Sequence, residues 1–191
     1  HMNMLKTIKY VLLAAVAIAS LSACNKKDEV SVEEVYAEWK KVNDEWLAEQ
    51  VKRTDSEGKP YYTQLVPRWN PEVFVLIRYL SDRKATEGHL SPLYTSTIDT
   101  RYRLESYDGT PMDSSTNIMT YGKGIFRSQL TNVVEGWAIA CMDMRVGDSA
   151  EVIVPYQVGY GTSTTTSIAP YTNLKFNIRL VDIVDYEVNP E

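Results

Sequence analysis

Histidine and cysteine are scarce in this chain, which contains two of each among its 191 residues. We interpret the leading His1-Met2 pair as a cloning remnant, so His89 is the histidine left for chemistry. A zinc cluster, an HExxH helix or a Cys-His dyad would need more of these side chains at defined spacings. The sequence also has no GxGxxG fingerprint, P-loop or GxSxG elbow. These absences argue against metalloenzymes, hydrolases with a His-based triad and nucleotide-dependent enzymes.

A surplus of basic residues is missing as well. The 20 Lys and Arg are outnumbered by 25 Asp and Glu, the formal net charge is −5 and the pI is about 5.2. No basic patch stands out along the sequence, so nucleic acid is not an expected partner. Phenylalanine is rare, with three residues, whereas tyrosine occurs 13 times. Many tyrosines indicate half-buried surfaces with polar edges, as in clefts or exposed sheets.

The N-terminal apolar run is too short to span a bilayer comfortably. Two lysines precede it, and it ends in small residues, as secretory signals do. Its last residues, Leu21-Ser22-Ala23-Cys24, resemble the bacterial lipobox, in which the cysteine is acylated and becomes the first residue of the mature protein. We therefore expect residues 1–23 to be the remnant plus a signal peptide, and Cys24 to anchor the chain in a membrane through acyl chains.

The residues after Cys24 indicate where the anchored protein resides. Asn25 resembles the Gram-negative signal for the outer membrane, and Lys26-Lys27-Asp28-Glu29 resembles the export tag of Bacteroidetes surface lipoproteins. A plain solvated charge run is the alternative interpretation of the second motif. The expected location is the cell envelope, at the outer membrane, with the periplasmic and the surface face both open. If Cys24 is acylated, Cys141 has no disulfide partner and is expected to be a buried apolar residue.

Residues 24–71 are predicted to form a tether followed by an amphipathic helix. Within residues 33–53, apolar side chains recur mostly at intervals of three or four residues, at Val35, Trp39, Val42, Trp46 and Val51. The stripe favours packing on the following domain, and a dimerisation helix or a partner-binding arm is the alternative. Residues 54–71 contain Gly58 and three prolines and are predicted to be a loop.

Residues 72–188 are predicted to form one domain of antiparallel strands. Alternating or clustered apolar residues predict strands over residues 73–81, 95–107, 150–155 and 174–183. Residues 132–144 have helix-like spacing instead, and Asp108-Gly109 indicates a hairpin tip. The predicted fold class is α+β, with an antiparallel curved sheet wrapped around one short helix and an N-terminal amphipathic helix.

The order of the motifs along this domain is specific. It runs through Tyr102, Asp108-Gly109, Asp113-Ser114-Ser115, the VVEGW segment at residues 133–137, Tyr160-Gly161, Ile168-Ala169-Pro170 and Leu174-Lys175-Phe176. This ordered set resembles the FKBP-type peptidyl-prolyl cis-trans isomerases over roughly residues 72–185. The resemblance implies an apolar bowl between the helix and the sheet. It also implies isomerisation of X-Pro peptide bonds without a metal or a cofactor.

The same resemblance implies roles for individual residues. Trp137 is expected to form the floor of the bowl, and Tyr102 and Phe176 its walls. Val133 and Ile168 are expected to add apolar contacts at the helix start and at the lip of the loop. The alternative for all of these aromatic residues is simple core packing.

Three further residues are expected to supply polar groups. The Val134 N–H is expected to hold a substrate carbonyl, and the Tyr160 hydroxyl is expected to donate to the ligand. Asp113 is expected to place a carboxylate near the prolyl pocket, with an Asx-turn or a cap as the alternative. We group Asp113, Tyr160 and Val134 with Trp137 as the residues expected to act in catalysis.

The chain departs from the family pattern at three positions. Met112 stands where the family usually has phenylalanine, and it is predicted to line the pocket as an adaptable apolar wall. Gly124, two residues before Phe126, stands where another phenylalanine is usual, and Tyr121 is a candidate to replace that ring. Ala169 replaces a proline of the loop.

Two functions are consistent with these residues. The first is an isomerase that acts on exported proline-containing polypeptides by non-covalent stabilisation of the twisted X-Pro amide. The alternative is an FKBP-like binding or chaperone module of the envelope with weak or no isomerase activity. A structural surface lipoprotein that uses only the helix over residues 33–53 is a third interpretation.

Overall fold

A computed structural model describes residues 29–185 of the chain. The predicted signal peptide over residues 1–23, the acylation site at Cys24 and the residues 25–28 that follow it lie outside the described residues. Within the described range, no helix has both the length and the hydropathy that a membrane crossing requires.

The described residues form a curved antiparallel sheet of seven strands. The strands are β1 (Thr63–Leu65), β2 (Val75–Tyr79), β3 (Thr97–Glu105), β4 (Pro111–Ser114), β5 (Phe126–Gln129), β6 (Ser149–Val154) and β7 (Leu174–Val184). Their order is β1-β2-β6-β7-β3-β4, and β5 pairs with the half of β3 that β4 leaves free. β3 and β7 pair along the whole of β3, so they are the central support for the residues that β4 and β5 carry.

Four strands, β2, β3, β6 and β7, lie where the apolar pattern predicts them. β1 lies inside residues 54–71, so the prediction of a loop over that whole segment is wrong. β5 is also absent from the predicted strands. With three and four residues respectively, β1 and β5 are too short for alternation to show. β1 pairs with β2, and β5 pairs with β3. These two short strands therefore depend on pairing with a neighbouring strand and not on the local sequence.

Three α-helices occur among residues 29–185, namely α1 (Val32–Val35), α2 (Ala37–Lys52) and α3 (Glu135–Asp143). The helix predicted over residues 33–53 is therefore two helices that meet at Tyr36. α1 begins with a capping box: the Ser31 hydroxyl accepts the Glu34 N–H at 3.2 Å, and the Glu34 carboxylate accepts the Ser31 N–H at 3.0 Å. α3 is the short helix predicted within residues 132–144.

α3 supplies the centre of the hydrophobic core. Trp137, Ala138 and Cys141 are at most 3% exposed and pack within the core that β2, β6 and β7 complete. The helix approaches β6 so closely that a Cβ at Gly136 would lie 2.4 Å from Val154 Cγ1. Cys141 is a free, fully buried cysteine, so it is a packed apolar side chain, as predicted, and its burial raises the pKa of the thiol.

α2 is attached to the segment that precedes β7. Asn43, the buried residue of this helix, accepts the Asn173 N–H through its side-chain oxygen at 3.0 Å. The Asn43 carbonyl accepts the Asn173 side-chain N–H at 2.7 Å, and the Trp39 indole N–H donates to the Thr172 hydroxyl at 2.9 Å. α2 therefore packs on its own domain. Val51 is 42% exposed, so the predicted apolar stripe does not continue to the end of the helix.

Candidate active site

A cavity of about 590 Å³ lies between the start of α3 and the strands β3, β4, β5 and β7. It is lined by all nine residues that the sequence assigns to polypeptide binding: Tyr102, Met112, Asp113, Val133, Val134, Trp137, Tyr160, Ile168 and Phe176. Five further residues line it that sequence reasoning leaves out: Leu104, Phe126, Asn132, Thr166 and Ser167. The sequence thus brings residues from six separate segments to one place.

Two of the five additional residues had a signal in the sequence. Leu104 lies two residues after Tyr102, and side chains two apart on a strand share a face. Phe126 is the aromatic residue of its segment, at the start of β5. Asn132, Thr166 and Ser167 lie in irregular segments, where neither spacing nor alternation indicates the direction of a side chain.

The floor and walls of the cavity are aromatic rings packed edge to face. The Trp137 ring centroid lies 5.0 Å from that of Phe176, 5.3 Å from that of Tyr102 and 6.3 Å from that of Phe126. The interplanar angles are between 81° and 84°, which is a favoured geometry for aromatic pairs. Trp137 itself is 3% exposed. Because these rings support one another, the apolar surface of the cavity exists before any ligand binds.

The polar side of the cavity is formed by Tyr102 and Asp113. The Tyr102 hydroxyl donates to Asp113 Oδ2 at 2.7 Å, and the Ser114 N–H donates to Asp113 Oδ1 at 2.8 Å. Burial, and then the hydrogen bond to Asp113, raise the pKa of the Tyr102 phenol above its usual range. The phenol therefore keeps its proton to a higher pH than a free tyrosine does. Both carboxylate oxygens are engaged, so Asp113 is fixed in place at the mouth of the cavity.

Met112 is placed by a β-bulge in the hairpin of β3 and β4. Leu104 pairs with Asp113 and Glu105 pairs with Pro111, so Met112 has no partner residue on β3. A bulge of this kind redirects the side chain of the extra residue. Met112 is 36% exposed and lines the cavity. This part of the wall is therefore formed by a flexible side chain that is open to solvent.

Hydrogen-bond donors complete the site. Val134 precedes α3, and its carbonyl accepts the Trp137 N–H at 3.0 Å. Within residues 29–185, the Val134 N–H itself donates no backbone hydrogen bond. Tyr160 is 40% exposed and brings a phenolic hydroxyl to the same cavity. The lining of the cavity thus combines an aromatic bowl with two residues that can donate hydrogen bonds, Val134 and Tyr160.

Comparison with known proteins agrees with this geometry. Residues 90–181 match the family model described as FKBP-type peptidyl-prolyl cis-trans isomerase. These residues form an FKBP-type domain. The family predicted over residues 72–185 is thus confirmed for residues 90–181. The predicted fold class is confirmed as well, since the structure resembles the crystal structure of a peptidyl-prolyl cis-trans isomerase from Pseudomonas syringae. That match has a TM-score of 0.59 and 21% sequence identity, and it covers 83% of this chain and 98% of the other.

Relatives of the FKBP-type domain include two described proteins. The macrophage infectivity potentiator of Trypanosoma cruzi is 34% identical over 100 residues, which are 51% of this chain and 48% of that protein. The FKBP-type peptidyl-prolyl cis-trans isomerase FkpA of Escherichia coli K12 is 27% identical over 94 residues, which are 49% of this chain and 33% of FkpA. The chain thus spans about half the length, or less, of these curated relatives.

In the FKBP-type domain, two threonine hydroxyls form hydrogen bonds with the backbone of the loop that carries Ile168. Thr166 Oγ1 donates to the Ile168 carbonyl at 2.9 Å, and the Thr172 hydroxyl donates to the Ala169 carbonyl at 2.7 Å. The Thr172 hydroxyl in turn accepts the Trp39 indole N–H from α2. Ala169 does not line the cavity, so the replacement of proline by alanine at this position affects the loop and not the surface of the bowl.

Position 124 does not belong to the wall of the bowl. Gly124 has a φ of +73°, and a Cβ there would lie nearest to the Arg101 side chain, on the face of β3 opposite to Tyr102. A side chain at position 124 would therefore not line the bowl. Tyr121 does not contribute either, because it is 54% exposed and its ring lies 4.0 Å from the Arg127 guanidinium. Phe126 supplies the ring on this side.

A second cavity of the FKBP-type domain, of about 530 Å³, lies on the face of the sheet that bears Arg101. Its lining includes the cationic residues Arg101, Arg103, Lys123 and Arg179, which come from β3, β7 and the loop before β5. No basic run shows in the sequence because these segments are far apart in it. Removing water from charged groups is costly, so this cavity is less suited to an apolar ligand than the aromatic bowl is.

Proposed function

We propose that the chain is a peptidyl-prolyl cis-trans isomerase that uses no cofactor. Rotation about a peptide bond has a barrier of about 18–20 kcal/mol because amide resonance is lost, and X-Pro bonds isomerise unaided in tens to hundreds of seconds. The twisted amide is less polarised than the planar one. A dry aromatic bowl therefore stabilises it relative to the planar forms, and a group that binds the transition state more tightly than the ground state accelerates the reaction.

Each part of the site has a role in this proposal. Trp137, Tyr102 and Phe176 hold the proline ring, and the Val134 N–H and the Tyr160 hydroxyl donate to substrate carbonyls on either side of the twisting bond. Asp113 keeps the Tyr102 ring in its orientation and places negative charge at the mouth. Phe126, Leu104, Met112, Val133 and Ile168 complete the apolar surface.

One observation carries the proposal: three rings stand nearly perpendicular to Trp137 around a cavity whose lining also includes Val134 and Tyr160. About 590 Å³ is within the range of small-ligand sites, and it accommodates one proline with its flanking peptide groups. The family match of residues 90–181 supports the same activity.

A protease-free assay on short X-Pro peptides tests the proposal. We expect the chain to accelerate cis-trans exchange, and Tyr160→Phe, which removes only a hydroxyl, to reduce kcat/KM. Val51→Ala, at an exposed position of α2, is the matched control and should leave the rate unchanged. A rate equal to that of the uncatalysed reaction would overturn the proposal.

A binding module with weak catalysis is the second candidate function, and Met112 favours it. The exposed, unpaired position of this flexible side chain leaves one wall of the bowl soft, so a proline can bind without tight selection of the twisted amide. Peptide titration followed by Trp137 fluorescence separates the two functions. Binding without acceleration supports the module, whereas binding with acceleration supports the enzyme.

We also propose that the protein acts on exported polypeptides from a lipid anchor at Cys24 at the outer membrane. The proposal is supported by the lipobox-like residues 21–24 and by Asn25 and the charged residues that follow. Mass spectrometry of the protein purified from membranes should find acyl chains on Cys24, and Cys24→Ser should release the protein from the membrane fraction. A membrane-free wild-type protein would contradict the anchor.

For α2, we propose a role on its own domain, with dimerisation as the alternative. The hydrogen bonds between Asn43 and Asn173 support packing on that domain.

A further inference from the structure

A third cavity adjoins the aromatic bowl. It has a volume of about 470 Å³ and is lined by Trp69, Tyr94, Leu130, Val133 and Glu135. Val133 also lines the bowl, so the two cavities lie on either side of this residue. We call this cavity the Trp69 subsite.

The Trp69 ring is ordered and yet exposed. Its indole N–H donates to Glu135 Oε1 at 2.9 Å, and its ring lies against Tyr94 with 6.5 Å between centroids. Trp69 is nevertheless 55% exposed and Tyr94 is 49% exposed. Because the indole N–H already has its acceptor, covering the Trp69 ring with an apolar ligand leaves that donor paired. Two fixed rings that face solvent are thus well suited to bind an apolar group.

The subsite is tied to the same helix start as the bowl. Glu135 is the first residue of α3, and Val134 and Val133 immediately precede it. The hydrogen bond from Trp69 to Glu135 therefore ties the Trp69 ring to the segment that carries Val133 and Val134, both of which line the bowl. Trp69 lies outside residues 90–181, which match the family, so the subsite is built partly from a segment that precedes the family match.

We propose that the Trp69 subsite binds a bulky apolar side chain of the same polypeptide whose proline occupies the bowl. The proposal rests on the proposed function of the bowl as a prolyl site. An extended peptide advances about 3.3 Å per residue, so a side chain about two or three residues from the proline reaches across Val133. Glu135 borders the subsite, and its negative charge disfavours an acidic side chain there. The protein would then select prolines that have an apolar residue nearby, as exposed segments of unfolded chains do.

A set of matched peptides tests the subsite. Each peptide contains one X-Pro bond in an alanine background, and either leucine, serine or glutamate is placed two or three residues before or after the proline. For the wild type, we expect leucine to exceed serine by about tenfold in kcat/KM at one of these positions, and glutamate to rank last. Trp69→Ala and Tyr94→Ala should each abolish most of this preference, whereas Val51→Ala should retain it.

The outcomes separate this proposal from the function of the bowl. If the plain alanine peptide is accelerated but leucine and serine are equal at every position, the subsite is wrong and the isomerase activity stands. If no peptide is accelerated, the proposed activity fails, and the affinities of the same peptides, measured by calorimetry, decide on the subsite. A leucine preference in affinity that Trp69→Ala removes supports the subsite, and equal affinities overturn it. Sedimentation tests whether a second copy of the chain occupies the subsite instead. A dimer that Trp69→Ala dissociates would overturn the proposal, because the Trp69 and Tyr94 rings would then lie in an interface between two copies.

Discussion

The Tyr102 hydroxyl donates a hydrogen bond of 2.7 Å to Asp113 across the hairpin of β3 and β4. Tyr102 is at the same time a wall of the bowl, with its ring 5.3 Å from that of Trp137. One side chain therefore connects the carboxylate at the mouth to the aromatic floor. Met112 lies directly before Asp113 and is the extra residue of the bulge, so the hairpin presents an apolar side chain and a carboxylate to the same cavity.

This connection predicts energetic coupling between the two residues. Tyr102→Phe and Asp113→Ala each remove one partner of the hydrogen bond, so the double variant should lose less stability than the sum of the single ones. We expect a coupling of about 1 kcal/mol in urea unfolding, and a loss of about fivefold in kcat/KM for either single variant. Additive effects would mean that the hydrogen bond does not hold the wall.

The Met112→Phe variant tests the soft part of the wall. A ring at position 112 adds rigid aromatic surface where the flexible Met112 side chain now lies. We expect kcat/KM on short X-Pro peptides to rise about threefold, since about 0.6 kcal/mol of additional selectivity for the twisted amide is a modest gain. The measurement is the protease-free exchange assay.

Met119→Phe is the matched control for this change. Met119 is 59% exposed and does not line the bowl, so a ring there should leave the rate unchanged. An equal effect of both substitutions, or none from Met112→Phe, would show that Met112 takes no part in binding.

The bowl could be predicted because the ordered motifs of the chain resemble those of the FKBP-type isomerases, and because three of the matched residues lie on regular elements. Tyr102 and Phe176 lie on long alternating strands, and Trp137 lies on a helix whose spacing is clear. The errors concern residues whose direction is set by tertiary contacts. A Cβ at Gly124 would lie against the Arg101 side chain and away from the bowl, and the Tyr121 ring lies against the Arg127 guanidinium that β5 brings near it. Neither effect is visible in one sequence.

The Trp69 subsite shows the same limit more clearly. Trp69 lies in a segment with prolines and no periodicity, which predicts a loop but gives no direction for a side chain. Its hydrogen bond spans 66 positions of the sequence, to Glu135. Such a contact depends on how β1 and β2 place the segment beside α3. The burial of Asn43 in α2 is a similar case, because a polar residue beside an apolar stripe predicts exposure.

Asn43 also gives a prediction for stability. Asn43→Ala removes the acceptor of the Asn173 N–H, which is fully buried, and an unpaired buried donor costs about 1–3 kcal/mol. We expect a loss of that size in urea unfolding. Lys41→Ala, at an exposed position of the same helix, should change stability by less than about 0.5 kcal/mol. A mass in solution that changes with Asn43→Ala would instead assign α2 to an interface between chains.

The last prediction concerns alkaline pH. Three partly buried tyrosines donate to carboxylates, namely Tyr62 to Glu151, Tyr79 to Asp143 and Tyr102 to Asp113. For each phenol, burial and then the hydrogen bond to the carboxylate raise the pKa in the folded state. The unfolded chain releases these protons near pH 10, whereas the folded chain retains them. Their contribution to stability is therefore complete below about pH 10 and is lost as the pH rises through the folded-state pKa values.

Urea unfolding at about pH 8 and about pH 11 measures this loss. The free energy of unfolding should be lower at the higher pH, and Tyr102→Phe should reduce the difference because one of the three phenols is gone. Absorbance at alkaline pH gives an independent readout, since these three tyrosines should ionise only as the protein unfolds. If all 13 tyrosines of the native protein ionise together near pH 10, the hydrogen bonds to the carboxylates are not formed in solution, and Asp113 is then not held at the mouth of the bowl by Tyr102.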